Sequence, residues 1–211
     1  MFKTFFRPAA LLGLAILSLF AQTAFAQTTD DSATAHTGTL VVDVKPFQSE
    51  KDLPKKVVKQ LQSGMVEWGL QDRQLVFTMV NRRFINFPID KSTRFGEQTR
   101  LTLPAGEYRI TGIGLEFNSA FSAEAVLNKG AYINQDIVVF KIEEGKTTTL
   151  SILPQIKIDR TFAVNFWVPS LITSVVDEAG NATAPVALND RTDNSIIWPN
   201  YSGPLKFVPK P

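Results

Sequence analysis

Apolar and polar residues alternate along much of the chain from Thr39 onward, the pattern typical of β-strands with one buried face. The clearest segment is RLTLPAGEYRITGIGLEF, residues 100–117, in which two alternating runs flank a turn containing Pro104 and Gly106. A second pair of alternating runs occupies residues 137–153 around a Glu-Gly-Lys turn. Each segment predicts a β-hairpin.

The second run of the first segment changes its parity. Tyr108 and Ile110 lie at positions of one face, whereas Ile113 and the apolar residues after it lie at positions of the other. A strand can keep both sets buried if one residue is inserted into the pairing. The sequence therefore predicts a β-bulge near Gly112 or Gly114, with φ > 0 at one of these glycines.

One segment has helical features. Residues 53–63 contain Pro54 in the expected first turn, apolar residues at helical spacing, and Gly64 just beyond the end. Further strands are predicted over residues 39–45, 75–80, 155–159, 161–168 and 171–177. Residues 75–80 are apolar at nearly every position, which indicates a central strand covered on both faces.

Many short strands with regular turns and a single helix predict a mainly β protein, a single antiparallel β-sandwich with one short helix over about residues 53–63. The sandwich domain is expected to span residues 39–211, and its C-terminal segment is extended and rich in Pro. Residues 27–38 are small and polar without apolar periodicity. They predict a disordered leader.

The first 26 residues have the composition of a secretion signal. Two basic residues precede a short apolar run over residues 11–20, and Ala24-Phe25-Ala26 forms an A-x-A cleavage site. The run is shorter than the roughly 20 residues of a spanning helix. We therefore expect cleavage after Ala26, no membrane span in the mature chain, and a periplasmic or secreted location.

Removal of this signal changes the charge. The chain has 22 basic and 20 acidic residues, and residues 1–26 contain two of the basic ones and no acidic one, so the mature protein is formally neutral. A neutral protein lacks the electrostatic footprint of a nucleic-acid-binding domain, and no nucleic-acid partner is expected. The chain has no Cys, so a hydrophobic core must stabilise it without disulfides.

Two segments resemble a known class of domain. TRLTLPAGEYRI (99–110) and VVFKIEEGKTTTLSI (138–152) are similar to the small periplasmic sandwiches of transthyretin-like or carboxypeptidase-regulatory-like type. The resemblance covers about 55 residues. It implies an accessory, non-catalytic domain and carries over no functional residue.

The inventory of reactive side chains argues against an enzyme. Without Cys, and with the single His36 in the predicted leader, the chain has no cysteine nucleophile, Ser-His-Asp triad or His-based zinc site. It also has no P-loop and no dinucleotide fingerprint, so no cofactor is expected. A carboxylate pair remains open, from Glu107, Glu116, Glu124 and Asp136, although such residues on strands and turns are usually solvated. Oxygen donors over residues 177–194 match no EF-hand spacing, and no metal site is predicted.

The candidate ligand-binding residues are aromatic: Trp167, Trp198 and Tyr201, with Phe166 beside them. If Phe166 faces the core, alternation sends Trp167 to the other face, where it could form a platform for a sugar ring or a partner protein. Alternatively, the C-terminal segment folds back and buries Trp167 against Trp198. We favour burial, because an extended Pro-rich segment needs an apolar anchor to stay ordered.

Two functions follow from these observations. The first is a non-catalytic interaction module of the bacterial cell envelope, in which an exposed strand edge or the C-terminal segment contacts another protein. The alternative is a carbohydrate- or small-ligand-binding β-sandwich that uses the aromatic cluster. An exposed, uncharged strand edge would favour the first, and an open surface lined by tryptophans would favour the second.

Overall fold

The computed structural model describes residues 36–78, 85–115, 130–160, 165–198 and 205–206. The elements in chain order are β1 (Thr37–Val44), β2 (Gln48–Ser49), α1 (Lys55–Gln62), β3 (Met65–Gln71), β4 (Gln74–Thr78), β5 (Ile85–Asn86), β6 (Lys91–Arg94), β7 (Gln98–Pro104), β8 (Gly106–Leu115), β9 (Ala131–Ile142), β10 (Thr147–Arg160), β11 (Asn165–Val176), β12 (Val186–Ala187), β13 (Ile196–Trp198) and β14 (Leu205–Lys206). The predicted helix is confirmed within two residues at its start and one at its end.

Two six-stranded sheets form a sandwich-like structure, which confirms the predicted fold class. The first sheet has the order β12-β11-β10-β1-β7, and β2 pairs with the far end of β10. The second has the order β13-β9-β8-β4-β3-β6, and β5 and β14 form a small third sheet. The pairs β1–β10 and β4–β8 are parallel, so both large sheets are mixed rather than purely antiparallel.

Both predicted hairpins are wrong. β7 pairs with β1 in the first sheet, whereas β8 pairs with β9 and β4 in the second. Likewise β9 belongs to the second sheet and β10 to the first. The two turns therefore carry the chain from one sheet to the other. Alternation and turn residues are the same for a hairpin and for such an arch, because in both the two apolar faces meet the same core.

The main core lies between the two large sheets. Its larger side chains include Trp68, Phe77, Tyr108 and Phe140, and Leu40 contributes from the first sheet. A smaller cluster lies on the other face of the second sheet, and consists of Val76, Ile85, Phe87, Ile89, Ile113 and Ala131. β4 contributes to both clusters. The prediction of a central strand covered on both faces is thus confirmed for β4.

The predicted break in β8 is also confirmed. The β8–β9 register shifts between Ile110 and Gly112, and Ile110 joins the main core while Ile113 joins the smaller cluster. However, the positive φ lies on the opposite strand, at Asp136 with φ 49°, and not at either glycine. Gly112 is required for another reason, since an added Cβ would overlap the backbone carbonyl of Leu188.

The first strand begins earlier than predicted. Thr37 and Gly38 pair with Pro104 and Leu103, so these two residues belong to the sheet and not to a disordered leader. β7 is long enough to supply partners for them, which the local composition did not reveal. The predicted signal segment, residues 1–26, lies outside the described residues. Within the described ranges, no helix is long and apolar enough to cross a membrane.

Candidate functional site

The predicted aromatic site spans both large sheets. The backbone of Trp167 pairs with Ile158 in the first sheet, and that of Trp198 pairs with Ala131 in the second. The side chains of both tryptophans, and all of Tyr201, lie outside the described part of the chain. The choice between an exposed platform and a buried anchor therefore stays a prediction.

Two predicted candidate carboxylates lie beside one arginine. Arg109 Nη2 is 3.2 Å from Glu107 Oε1, and Arg109 Nη1 is 3.8 Å from Asp136 Oδ2. An arginine between two carboxylates favours their charged forms, which suits a surface ion-pair network better than an acid that must hold a proton. Glu116 and Glu124 lie outside the described residues.

The most accessible apolar feature is β13, the edge strand of the second sheet. Its residues Ile196 and Ile197 are 44% and 49% exposed, and neither they nor Trp198 carries a charge. In the described part of the chain, β13 pairs only with residues 131–133 of β9. Natural sheets usually protect such an edge with a charge, a proline or a bulge. An exposed, uncharged edge is the feature expected of a protein-binding module.

A buried amide positions the segment that leads into β13. Asn134 of β9 is 3% exposed, and its Nδ2 donates to the carbonyl oxygens of Leu188 at 2.9 Å and Asp190 at 2.7 Å. The hydroxyl of Ser195 donates to Asn134 Oδ1 at 2.5 Å. These bonds satisfy the Asn134 amide and hold residues 188–195 against β9.

A second amide holds the same segment to the first sheet. Asn189 Nδ2 donates to the carbonyl oxygen of Pro169 at 2.7 Å, and Asn189 Oδ1 accepts from Ser170 Oγ and Leu171 N, both at 3.1 Å. The Tyr132 hydroxyl of β9 donates to the Asn189 carbonyl oxygen at 2.9 Å. Sequence reasoning missed both asparagines, because a loop Asn usually indicates only a turn.

Beyond this closed part, the side of the sandwich opens into a groove of about 540 Å³. It lies between the second half of β9 and the end of β11 with the turn that follows. Its lining residues are Val139, Phe140, Lys141, Glu143, Lys146, Thr147, Thr148, Val175, Asp177, Glu178, Ala179 and Thr183. Phe140, Thr148 and Val175 are buried and form its floor, whereas the charged residues are exposed at its rim.

The backbone of β9 faces this groove at alternate residues. The Thr148 hydroxyl of β10 donates to the Lys141 carbonyl oxygen at 3.1 Å, so the Lys141 backbone turns away from β8. Arg109 of β8, opposite Val139, donates its amide to the Arg73 carbonyl at 3.0 Å and thus turns away from β9. In an antiparallel ladder both partners of such a pair point outward. Val139 and Lys141 therefore present backbone groups to the open side.

The rim of the groove is acidic on the side of the 177–178 turn. Lys146 pairs with Glu143, and this hydrogen bond, with further attraction from Glu143, Glu178 and Asp177, raises the pKa of Lys146 above its usual value. Hydrogen bonds from Asn181 lower the pKa of Asp177, which keeps this carboxylate ionised. The lining contains three carboxylates and two ammonium groups, a formal net charge of −1.

Nothing in this geometry resembles a metal centre. Among the described residues, no group of three or more His, Cys, Asp or Glu side chains is placed to hold a metal ion. Comparison with protein families, with curated proteins and with solved structures finds no match for the chain. The resemblance to transthyretin-like domains therefore stays a prediction.

Proposed function

We propose that this protein is a non-catalytic interaction module of the cell envelope that binds an extended segment of a partner protein along the open edge of the second sheet. The observation that supports it is the pair of exposed isoleucines, Ile196 and Ile197, on an uncharged edge strand. The envelope location rests on the predicted secretion signal and cleavage after Ala26.

Strand addition suits such an edge physically. An added strand satisfies unpaired backbone N–H and C=O groups, and its side chains cover the alternate side chains of the edge. Ile196 and Ile197 point to opposite faces of the sheet, because successive strand residues alternate. A bound strand that extends across the edge can cover both of them, which removes apolar surface from water.

The test is affinity capture from an envelope extract with chemical cross-linking, using the wild-type protein and an Ile197→Lys variant. A charge on the edge should oppose strand addition, so we expect Ile197→Lys to reduce recovery of the captured partner at least tenfold. Met65→Lys is the matched control, because Met65 is 46% exposed but lies on β3, near the opposite side of the second sheet.

Equal recovery by both variants, with cross-links away from β13, would contradict the proposal. Retention of a glycan with no captured protein, lost on substitution of Trp167 or Trp198, would instead favour the carbohydrate-binding alternative.

A further inference from the structure

We propose that the groove beside β9 is a second part of the binding site and takes an extended peptide that carries a Lys or Arg side chain next to the 177–178 turn. This inference rests on the proposed function and adds to it the place and chemistry of the bound segment. It is argued from the backbone, the floor and the rim of the groove in turn.

The backbone of β9 provides the pairing surface. Within the described residues, β13 covers β9 only at residues 131–133, and the clamp made by Asn134 closes the next position. Val139 and Lys141 follow on the open side, with backbone groups directed away from β8 as shown by the contacts of Thr148 and Arg109. A peptide strand can hydrogen-bond to these groups without disturbing the β8–β9 ladder.

The floor provides apolar contact. Phe140 and Val175 are buried beneath the groove, and the Val139 side chain is 51% exposed at its margin. A volume of about 540 Å³ lies within the range of small-ligand sites and fits a few side chains rather than a folded domain. The occupant is therefore an extended segment, whose alternate side chains enter the groove.

The rim sets the charge of the occupant. Asp177 and Glu178 lie on the side of the groove opposite β9, and both act on the Lys146 ammonium across it. Glu178 has no ion pair among the described residues, whereas Glu143 is paired with Lys146. Lys141 alternates with Phe140 and Ile142, which face the core, so its side chain points to the outer face of the second sheet. The unpaired charge facing the groove is thus negative.

The probe for the test is a phage-displayed library of linear nine-residue peptides, selected on the purified protein. We expect the selected peptides to be enriched in Lys or Arg and to bind Glu178→Lys at least tenfold more weakly than the wild type. Glu144→Lys is the matched control, because Glu144 is an exposed carboxylate on the adjacent turn that does not line the groove.

A second variant tests strand addition directly. Val139→Pro removes an amide that faces the open side, so it should leave the β8–β9 ladder intact but abolish binding. If this variant does not fold, hydrogen exchange of the wild type gives the same information, since binding should protect the Val139 and Lys141 amides.

The outcomes separate this inference from the proposed function. Peptides without basic enrichment, or unchanged binding by Glu178→Lys, would overturn the groove inference. Peptide binding that is lost in Ile197→Lys and kept in both groove variants would also overturn it, while leaving the proposed function in place. Failure of the proposed function itself is seen separately, as envelope capture that does not depend on Ile197.

Discussion

The hydroxyl of Tyr108 donates a hydrogen bond to the carbonyl oxygen of Pro104, 2.8 Å away, across the turn that joins the two large sheets. The Tyr108 ring is almost fully buried and stacks on Phe140, and the Arg73 guanidinium lies 5.9 Å from its centre. A tyrosine that bonds to the backbone a few residues upstream, where the chain passes between sheets, is a tyrosine corner. Thr148 plays a comparable part in the second arch, where its hydroxyl bonds to Lys141.

The first prediction is that Tyr108→Phe destabilises the fold by about 1–3 kcal/mol, because the Pro104 carbonyl loses its partner while the ring packing is kept. Urea unfolding followed by tryptophan fluorescence would measure the change. Pro104→Ala keeps the carbonyl acceptor and should cost no more than about 1 kcal/mol. An unchanged midpoint in Tyr108→Phe would mean that the corner contributes nothing.

The second prediction concerns alkaline pH. Burial raises the pKa of Tyr108 above its usual value of 10.0, although the nearby Arg73 charge lowers it in part. The unfolded chain then loses this proton at a lower pH than the folded chain, so stability should fall as the pH rises above about 10. Urea midpoints between pH 9 and pH 11 should decline less in Tyr108→Phe. Parallel declines in both proteins would contradict this assignment.

The third prediction is that Gly112→Ala costs more than about 2 kcal/mol, because the new methyl group overlaps the backbone of Leu188 rather than a flexible side chain. Gly145→Asn is the control: its φ is 69°, which Asn tolerates, and no atom lies within 4 Å of an added Cβ. It should cost less than about 1 kcal/mol. Equal thermal stability of the two variants would remove the argument from close approach.

The fourth prediction is that Asn189→Ala costs about 2–3 kcal/mol, because the carbonyl of Pro169 and the amide of Leu171 lose a buried partner. Amides of residues 186–195 should exchange faster, since this side chain ties the segment to the first sheet. Asn181→Ala, on an exposed turn, is the control and should leave exchange in that segment unchanged. Unaltered exchange in Asn189→Ala would show that other contacts hold the segment.

Much of the local structure could be predicted from the sequence. Alternation located the principal strands, residues 53–63 located the helix, and the parity change after Ile110 located the register shift in β8. These features depend on which face of a short segment is apolar, and that information is contained in the segment itself. The mainly β fold class follows from the same pattern.

Partner choice between strands was decided only by the tertiary structure. β7 and β8 are consecutive and joined by a good turn, yet β7 pairs with β1, whose sequence is more than 50 residues earlier, and β8 lies in the other sheet. The open edge and the groove depend on this choice, since they exist only where two sheets meet. Asn134 and Asn189 show the same limit. Their chemistry is visible in the sequence, but their partners lie far away in the chain, and an amide becomes a clamp only when distant backbone is brought within hydrogen-bond reach.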